Sequence, residues 1–143
     1  MTTTCLLIDD DADEHYLFEK ALHDVNPELG CVLEDNGKKA LEKLHVDQSI
    51  RPGVIFLDLN MPGMDGKQCL AELKKIDRLK EVPIVIYSTS SNTRDVSETK
   101  LMGSAGYMVK PDHYNELVQT LNRVLDEVTR SRSHFFFNKE SLN

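Results

Sequence analysis

At 143 residues and a formal net charge of −7, the chain has the size of one domain that buries its own core without metal or disulfide support. Its longest apolar runs, such as Val54-Ile55-Phe56-Leu57, fall far below the roughly 20 residues that cross a bilayer, and Met1–Thr4 lacks the basic start and apolar stretch that direct export, so a soluble, cytoplasmic protein is expected. Cys5, Cys31 and Cys69 are too scattered for a disulfide framework or a Cys-x-x-Cys site, and an acidic balance without a basic stripe argues against direct nucleic-acid binding.

In chain order, Cys5–Ile8 is an apolar strand that runs into Asp9, Asp10, Asp11, Asp13 and Glu14. Leu17, Phe18, Ala21, Leu22 and Val25 then recur at helical spacing along one face. A second strand at Cys31–Leu33 precedes a fainter helix carrying Ala40, Leu41 and Leu44. The third strand, Val54–Leu57, and the fourth, Ile84–Tyr87, are continuous apolar runs, as expected of strands covered on both faces of a parallel sheet. Between them Leu70, Leu73 and Ile76 mark a third helix. Val96, Leu101 and Met102 mark a fourth, Tyr107–Val109 a fifth strand, and Leu117, Leu121, Val124, Leu125 and Val128 a strongly striped last helix. Strands alternating with helices predict an α/β fold: a doubly wound parallel sheet of five strands and five helices, with its ligand site beyond the carboxyl ends of the strands. Residues 1–129 form this domain and 130–143 a C-terminal tail without a domain of its own. Phe135, Phe136 and Phe137 in that tail are either a docking strand for a partner or a segment that lies back on the domain's own surface; the sequence favours neither.

The strand ends are more informative than the strands themselves. Asp9, Asp10 and Asp11 come after the first, Asp58-Leu59-Asn60-Met61-Pro62-Gly63-Met64-Asp65-Gly66 after the third, Ser88-Thr89-Ser90-Ser91 after the fourth, and Lys110-Pro111 after the fifth. Carboxylates brought together repel and demand a cation. Mg²⁺, which takes one or two carboxylates, keeps several waters and accepts a phosphate oxygen, suits Asp9, Asp10 and Asp58. An aspartate beside such an ion can attack a phosphoryl group and form an acyl phosphate, with Lys110 and Ser88 sharing the charge on the phosphoryl oxygens. No strong base is needed, since a carboxylate is ionised at neutral pH. None is evident either: His15, His23, His45, His113 and His134 fall on helices, their flanks or the tail. Each acid or turn residue also has a plainer use, because carboxylates cap helix starts and Pro62, Gly63 and Gly66 make turns. Their shared position at one end of successive strands favours a site.

Leu-Ile-Asp-Asp, Asp-Leu-Asn-Met-Pro-Gly-Met-Asp-Gly, Ile-Val-Ile-Tyr-Ser and Gly-Tyr-Met-Val-Lys-Pro together closely resemble the receiver domain of bacterial two-component response regulators, over about residues 3 to 129. The resemblance implies a flavodoxin-like (βα)5 fold with strand order 2-1-3-4-5. It implies Asp58 as the phosphoacceptor, and Mg²⁺ held by Asp10, Asp58 and the Asn60 backbone carbonyl, with Asp9 acting mainly through water. Ser88 would be the switch hydroxyl, Lys110 the phosphate-contacting lysine, Tyr107 the aromatic switch and Pro111 a cis-peptide proline. The read-out surface would be formed by residues 93–102, 106–109 and 114–129. Thr89 stands where the family commonly has a smaller residue, which bears on the phosphoryl lifetime.

The implied function is that of a stand-alone, chemotaxis-regulator-like response regulator in phosphorelay signal transduction. It is phosphorylated by a sensor histidine kinase and acts through an output protein or a homodimer, because no output domain is evident after residue 129. Such a protein is not an enzyme beyond catalysing its own phosphorylation and dephosphorylation. One alternative is a relay intermediate that passes the group to a histidine phosphotransfer protein. Another is a Mg²⁺-dependent aspartyl-phosphate hydrolase, disfavoured because Asn60 stands where an acid/base would be needed. A third is a degenerate receiver serving only as a scaffold, against which every expected functional group is present.

Overall fold

The apolar runs form the buried centre of a parallel sheet. The computed structural model describes residues 3–130 and 135–139. It contains β1 (Thr4–Ile8), α1 (Ala12–Val25), β2 (Gly30–Glu34), α2 (Gly37–Val46), β3 (Val54–Leu57), α3 (Gly66–Leu73), β4 (Ile84–Ser88), α4 (Thr93–Leu101), β5 (Gly106–Val109), α5 (Tyr114–Arg130) and a terminal β6 (Phe136–Phe137). The strands lie in the order β2-β1-β3-β4-β5-β6, every neighbouring pair parallel. β3 and β4 are buried at every residue, as their unbroken apolar sequence requires. Strand order reverses between β1 and β3, which opens a crevice at their carboxyl ends.

Alternate residues of the central strands feed two cores. Leu6, Ile8, Ile55, Leu57, Ile84 and Ile86 face α2 and α3, while Cys5, Leu7, Val54, Phe56, Val85 and Tyr87 face α1 and α5. The stripe of α5 buries Leu117, Leu121, Val124 and Val128, each such side chain contributing roughly 1.5–3 kcal/mol of transfer free energy. Burial pushes the thiols of Cys5, Cys31 and Cys69 up to about 12, so they sit in the fold as small hydrophobes.

The structure departs from expectation in three places. The sheet has six strands, because Phe136–Phe137 pairs in parallel with β5; of the two readings of the phenylalanines, the described residues show the tail lying on its own sheet. α5 reaches Arg130, one residue into the expected tail, while His134 falls outside the described residues. The expected cis bond before Pro111 is a correction: among the described residues every peptide bond is trans. Trans is the intrinsic preference of an X–Pro bond by roughly 0.5–1 kcal/mol, and Lys110 reaches Asp9 from that backbone.

Candidate functional site

The loops leaving β1, β3, β4 and β5 bring the sequence-predicted residues to one edge. Asp58 is fixed by the ladder itself, its N–H donating to Ile8 O at 2.9 Å, and Asp9 by an N–H bond to Glu34 O at 3.0 Å. The Asp58–Gly66 loop turns back sharply: Gly63 has φ +79°, and a Cβ on Gly66 would lie 2.3 Å from Asp58 O. Only glycine permits that approach. Asp65 then starts α3 with a reciprocal cap, accepting from Gln68 N–H while its own N–H donates to the Gln68 side chain. At the first helix, Asp11 is the cap, accepting from Asp13 N–H, so the acidic run after β1 divides between a site and a helix start.

Carboxylate oxygens of Asp9, Asp10 and Asp58 lie within 4.8 Å of one another. Asp9 is 0% exposed and Asp58 5%, whereas Asp10 faces solvent. The Lys110 ammonium donates to Asp9 Oδ2 at 2.8 Å and stands 3.8 Å from Asp58 Oδ2. The Lys110 ammonium thus meets two of the three carboxylates. Burial pushes Asp58 up to about 6; Lys110 pulls it down, Asp9 and Asp10 push it further up, and the Asn60 N–H bond at 3.2 Å pulls it down. For Lys110, burial alone lowers the pKa, but the bond to Asp9 and the charges of Asp58 and Asp9 outweigh it, and the net shift is upward. A site with excess negative charge, oxygen donors at this spacing and one open side suits a hard divalent cation.

Ser88 ends β4 fully buried, its hydroxyl accepting from Ser90 N–H at 3.2 Å, and Thr89 beside it is exposed. Tyr107 is also fully buried and donates its hydroxyl to Ser90 O at 2.8 Å. Ser90 in turn donates to Asp95 Oδ2 at 2.9 Å, and Lys67 Nζ bridges Asp95 and Glu98 at 2.7 Å each. This chain of bonds links the loop after β4 to α3 and α4.

Sequence reasoning missed several of these partners. Tyr87 reads as a core residue of β4, yet its hydroxyl donates to Glu14 Oε2 at 3.1 Å and its ring lies 5.2 Å below the Lys110 ammonium. His15, assigned only to a helix, places Nε2 2.5 Å from Asp9 O. A polar residue on the inner face of a helix start was the available signal for both Glu14 and His15. Nothing in the local sequence pairs Lys67 with residues 28 and 31 positions away.

Over residues 5–122 the chain matches the family described as the response regulator receiver domain. It is 28% identical over 123 residues to the response regulator Rcp1 of Synechocystis sp., covering 83% of this chain and 84% of Rcp1. With the nitrate/nitrite response regulator NarL of Escherichia coli it is 34% identical over 128 residues, covering 84% of this chain but 53% of NarL. The phosphorylated cyanobacterial phytochrome response regulator RcpA superimposes with a TM-score of 0.81 at 27% identity, over 91% of this chain and 96% of RcpA. Rcp1 in its Mn²⁺-bound form does so with a TM-score of 0.76 at 28% identity, over 88% of this chain and 92% of that one. The chain therefore belongs to the response regulator receiver domain family of two-component signalling. No helix among the described residues is long and apolar enough to cross a membrane.

Proposed function

We propose that Asp58 accepts a phosphoryl group from a phosphohistidine of a sensor histidine kinase and that the phosphorylated chain signals by presenting a changed protein-binding surface in the cytoplasm. A carboxylate oxygen of Asp58 attacks phosphorus, the P–N bond breaks, and the imidazole leaves with the electron pair and takes up a proton. The observation that carries this reading is the buried Asp58 beside Asp9, Asp10 and Lys110 at the crevice where strand order reverses.

The residues fit Mg²⁺. Asp10, Asp58 and the Asn60 carbonyl would hold it, with Asp9 contributing through water; when bound, the ion supplies charge neutralisation for the phosphoryl oxygens. Lys110 contributes a second cation to the same oxygens, and Ser88 a hydroxyl donor. Because the attacking carboxylate needs no deprotonation by a neighbour above its own pKa, the site works without a general base. Residues 1–129 are the signalling unit in this reading, and its chemistry is confined to its own phosphorylation and dephosphorylation. The test is labelling by acetyl phosphate with and without Mg²⁺. Labelling that requires Mg²⁺ and is lost in Asp58→Asn is expected; undiminished labelling of Asp58→Asn would sink the assignment.

A further inference from the structure

An open strand edge is a template for another strand, and β5 would present one if β6 were absent. Ala105, Tyr107 and Val109 turn backbone groups toward that side, and the tail meets all three. Phe136 N–H donates to Ala105 O at 3.4 Å and Asn138 N–H to Tyr107 O at 3.3 Å. The Asn138 side chain completes the pattern, accepting from Val109 N–H at 2.8 Å and donating to Val109 O at 3.2 Å. An amide side chain carries the donor and acceptor of a peptide group, so Asn138 extends the ladder beyond the two residues of β6.

The side chains are matched as closely. A Cβ on Gly106 would lie 2.0 Å from the Phe136 ring, so that ring fills the place where any other residue would carry its side chain. The Lys100 ammonium lies 5.2 Å from the centre of the Phe135 ring. Phe137 stands edge-on to Tyr107, centroids 5.8 Å apart and planes at 88°. Tyr107 is fully buried and Phe137 half-buried, so Phe137 closes the solvent side of the tyrosine. The main-chain bonds to β6, at 3.3 and 3.4 Å, are nevertheless longer than those flanking the β4–β5 pair, where Ala105 N–H meets Ile84 O and Lys110 N–H meets Ser88 O at 2.8 Å. The contact is specific and weakly bonded.

We infer that the β5 edge is a strand-docking surface whose resident is the chain's own Phe135–Asn138 segment, and that the docked strand and phosphorylation of Asp58 favour each other through Tyr107. The contacts run from the strand to the hydroxyl proposed to meet the phosphoryl group: Phe137 packs on Tyr107, Tyr107 holds Ser90 O, and Ser90 N–H holds the Ser88 hydroxyl. A strand that keeps Tyr107 inward keeps the loop after β4 in one arrangement, and by linkage an event that needs that arrangement strengthens the strand. The coupling rests on Asp58 as the phosphoacceptor; the docking does not.

The experiment uses the full chain with Gly106→Ala, Phe137→Ala and Asn138→Ala, read by amide hydrogen exchange and acetyl phosphate labelling. Gly106→Ala ejects the strand sterically without altering the tail, and the exchange of Leu57 and Ile86 reports whether the fold is intact. Val109 exchange at least tenfold faster in Gly106→Ala and Asn138→Ala, with Leu57 and Ile86 unchanged, is expected; equal protection overturns the docking. Beryllofluoride with Mg²⁺ should slow Val109 exchange severalfold in the unaltered chain, and Phe137→Ala should be labelled severalfold more slowly. Equal labelling overturns the coupling and leaves Asp58 as the acceptor, whereas no labelling of any chain means that the Asp58 reading has failed and the coupling with it, while the exchange data still decide the docking. A two-chain mass that becomes one-chain in Gly106→Ala would mean that a second copy donates the strand, and would overturn its assignment to the same chain.

Discussion

Two groups of acids gathered around a lysine, built from the same residue types, behave in opposite ways. Lys67 meets Asp95 and Glu98, with Arg94 bonded to Glu98 at 2.8 Å, so two cations face two carboxylates. There the lysine hydrogen bond, reinforced by Arg94, holds Glu98 down at about 2, and the Lys67 and Ser90 bonds hold Asp95 low against the effect of burial. Lys110 instead meets Asp9 and Asp58 of a three-carboxylate group, the one cation paired with them among the described residues, and burial pushes Asp58 up to about 6. The first group is balanced, lies toward solvent and ties helices together. The second is unbalanced and largely buried, and its excess negative charge suits a divalent cation.

Removing each lysine separates the two. Lys110→Ala leaves Asp9 buried without its ammonium and should cost about 3–5 kcal/mol in denaturant unfolding, a loss that millimolar Mg²⁺ partly restores. A smaller effect comes from Asp58. Between its ordinary value of 3.8 and its folded value of about 6, the folded chain holds a proton that the unfolded chain has released, so stability falls as pH rises through 6. In chelator, Asp58→Asn should therefore be more stable than the unaltered chain by about 1–3 kcal/mol at pH 8, and the gap should close below about pH 4. A gap of the same size at pH 4 and pH 8 would contradict the burial argument. Smallest is Lys67→Ala, expected to cost less than about 1 kcal/mol because its pairs are screened by solvent; a cost equal to that of Lys110→Ala would erase the distinction between the groups.

Much of the fold and site was legible in the sequence because it depends on local pattern. The five core strands, the helices and the convergence of Asp9, Asp10, Asp58, Ser88 and Lys110 follow from apolar runs and from the residues at their ends. The sixth strand was not legible, since two residues of β6 carry too little periodicity and its partners, Gly106 and Tyr107, lie about 30 positions back. The same holds for Tyr87 with Glu14 and for Lys67 with Asp95, whose bonds join segments 73 and 28 residues apart. The trans bond at Pro111 was missed for a different reason: the family resemblance implied the rarer isomer, and a dipeptide sequence does not reveal which isomer the packing allows.

If the unbalanced group places Asp58 to take the phosphoryl group, the acyl phosphate must form there and nowhere else. The most direct test is to label the unaltered chain with acetyl phosphate and Mg²⁺, reduce the acyl phosphate with borohydride, and locate the reduced residue by peptide mass spectrometry. Reduction at Asp58 alone is predicted; reduction at Asp9 or Asp10, or at a side chain outside this group, would contradict the account.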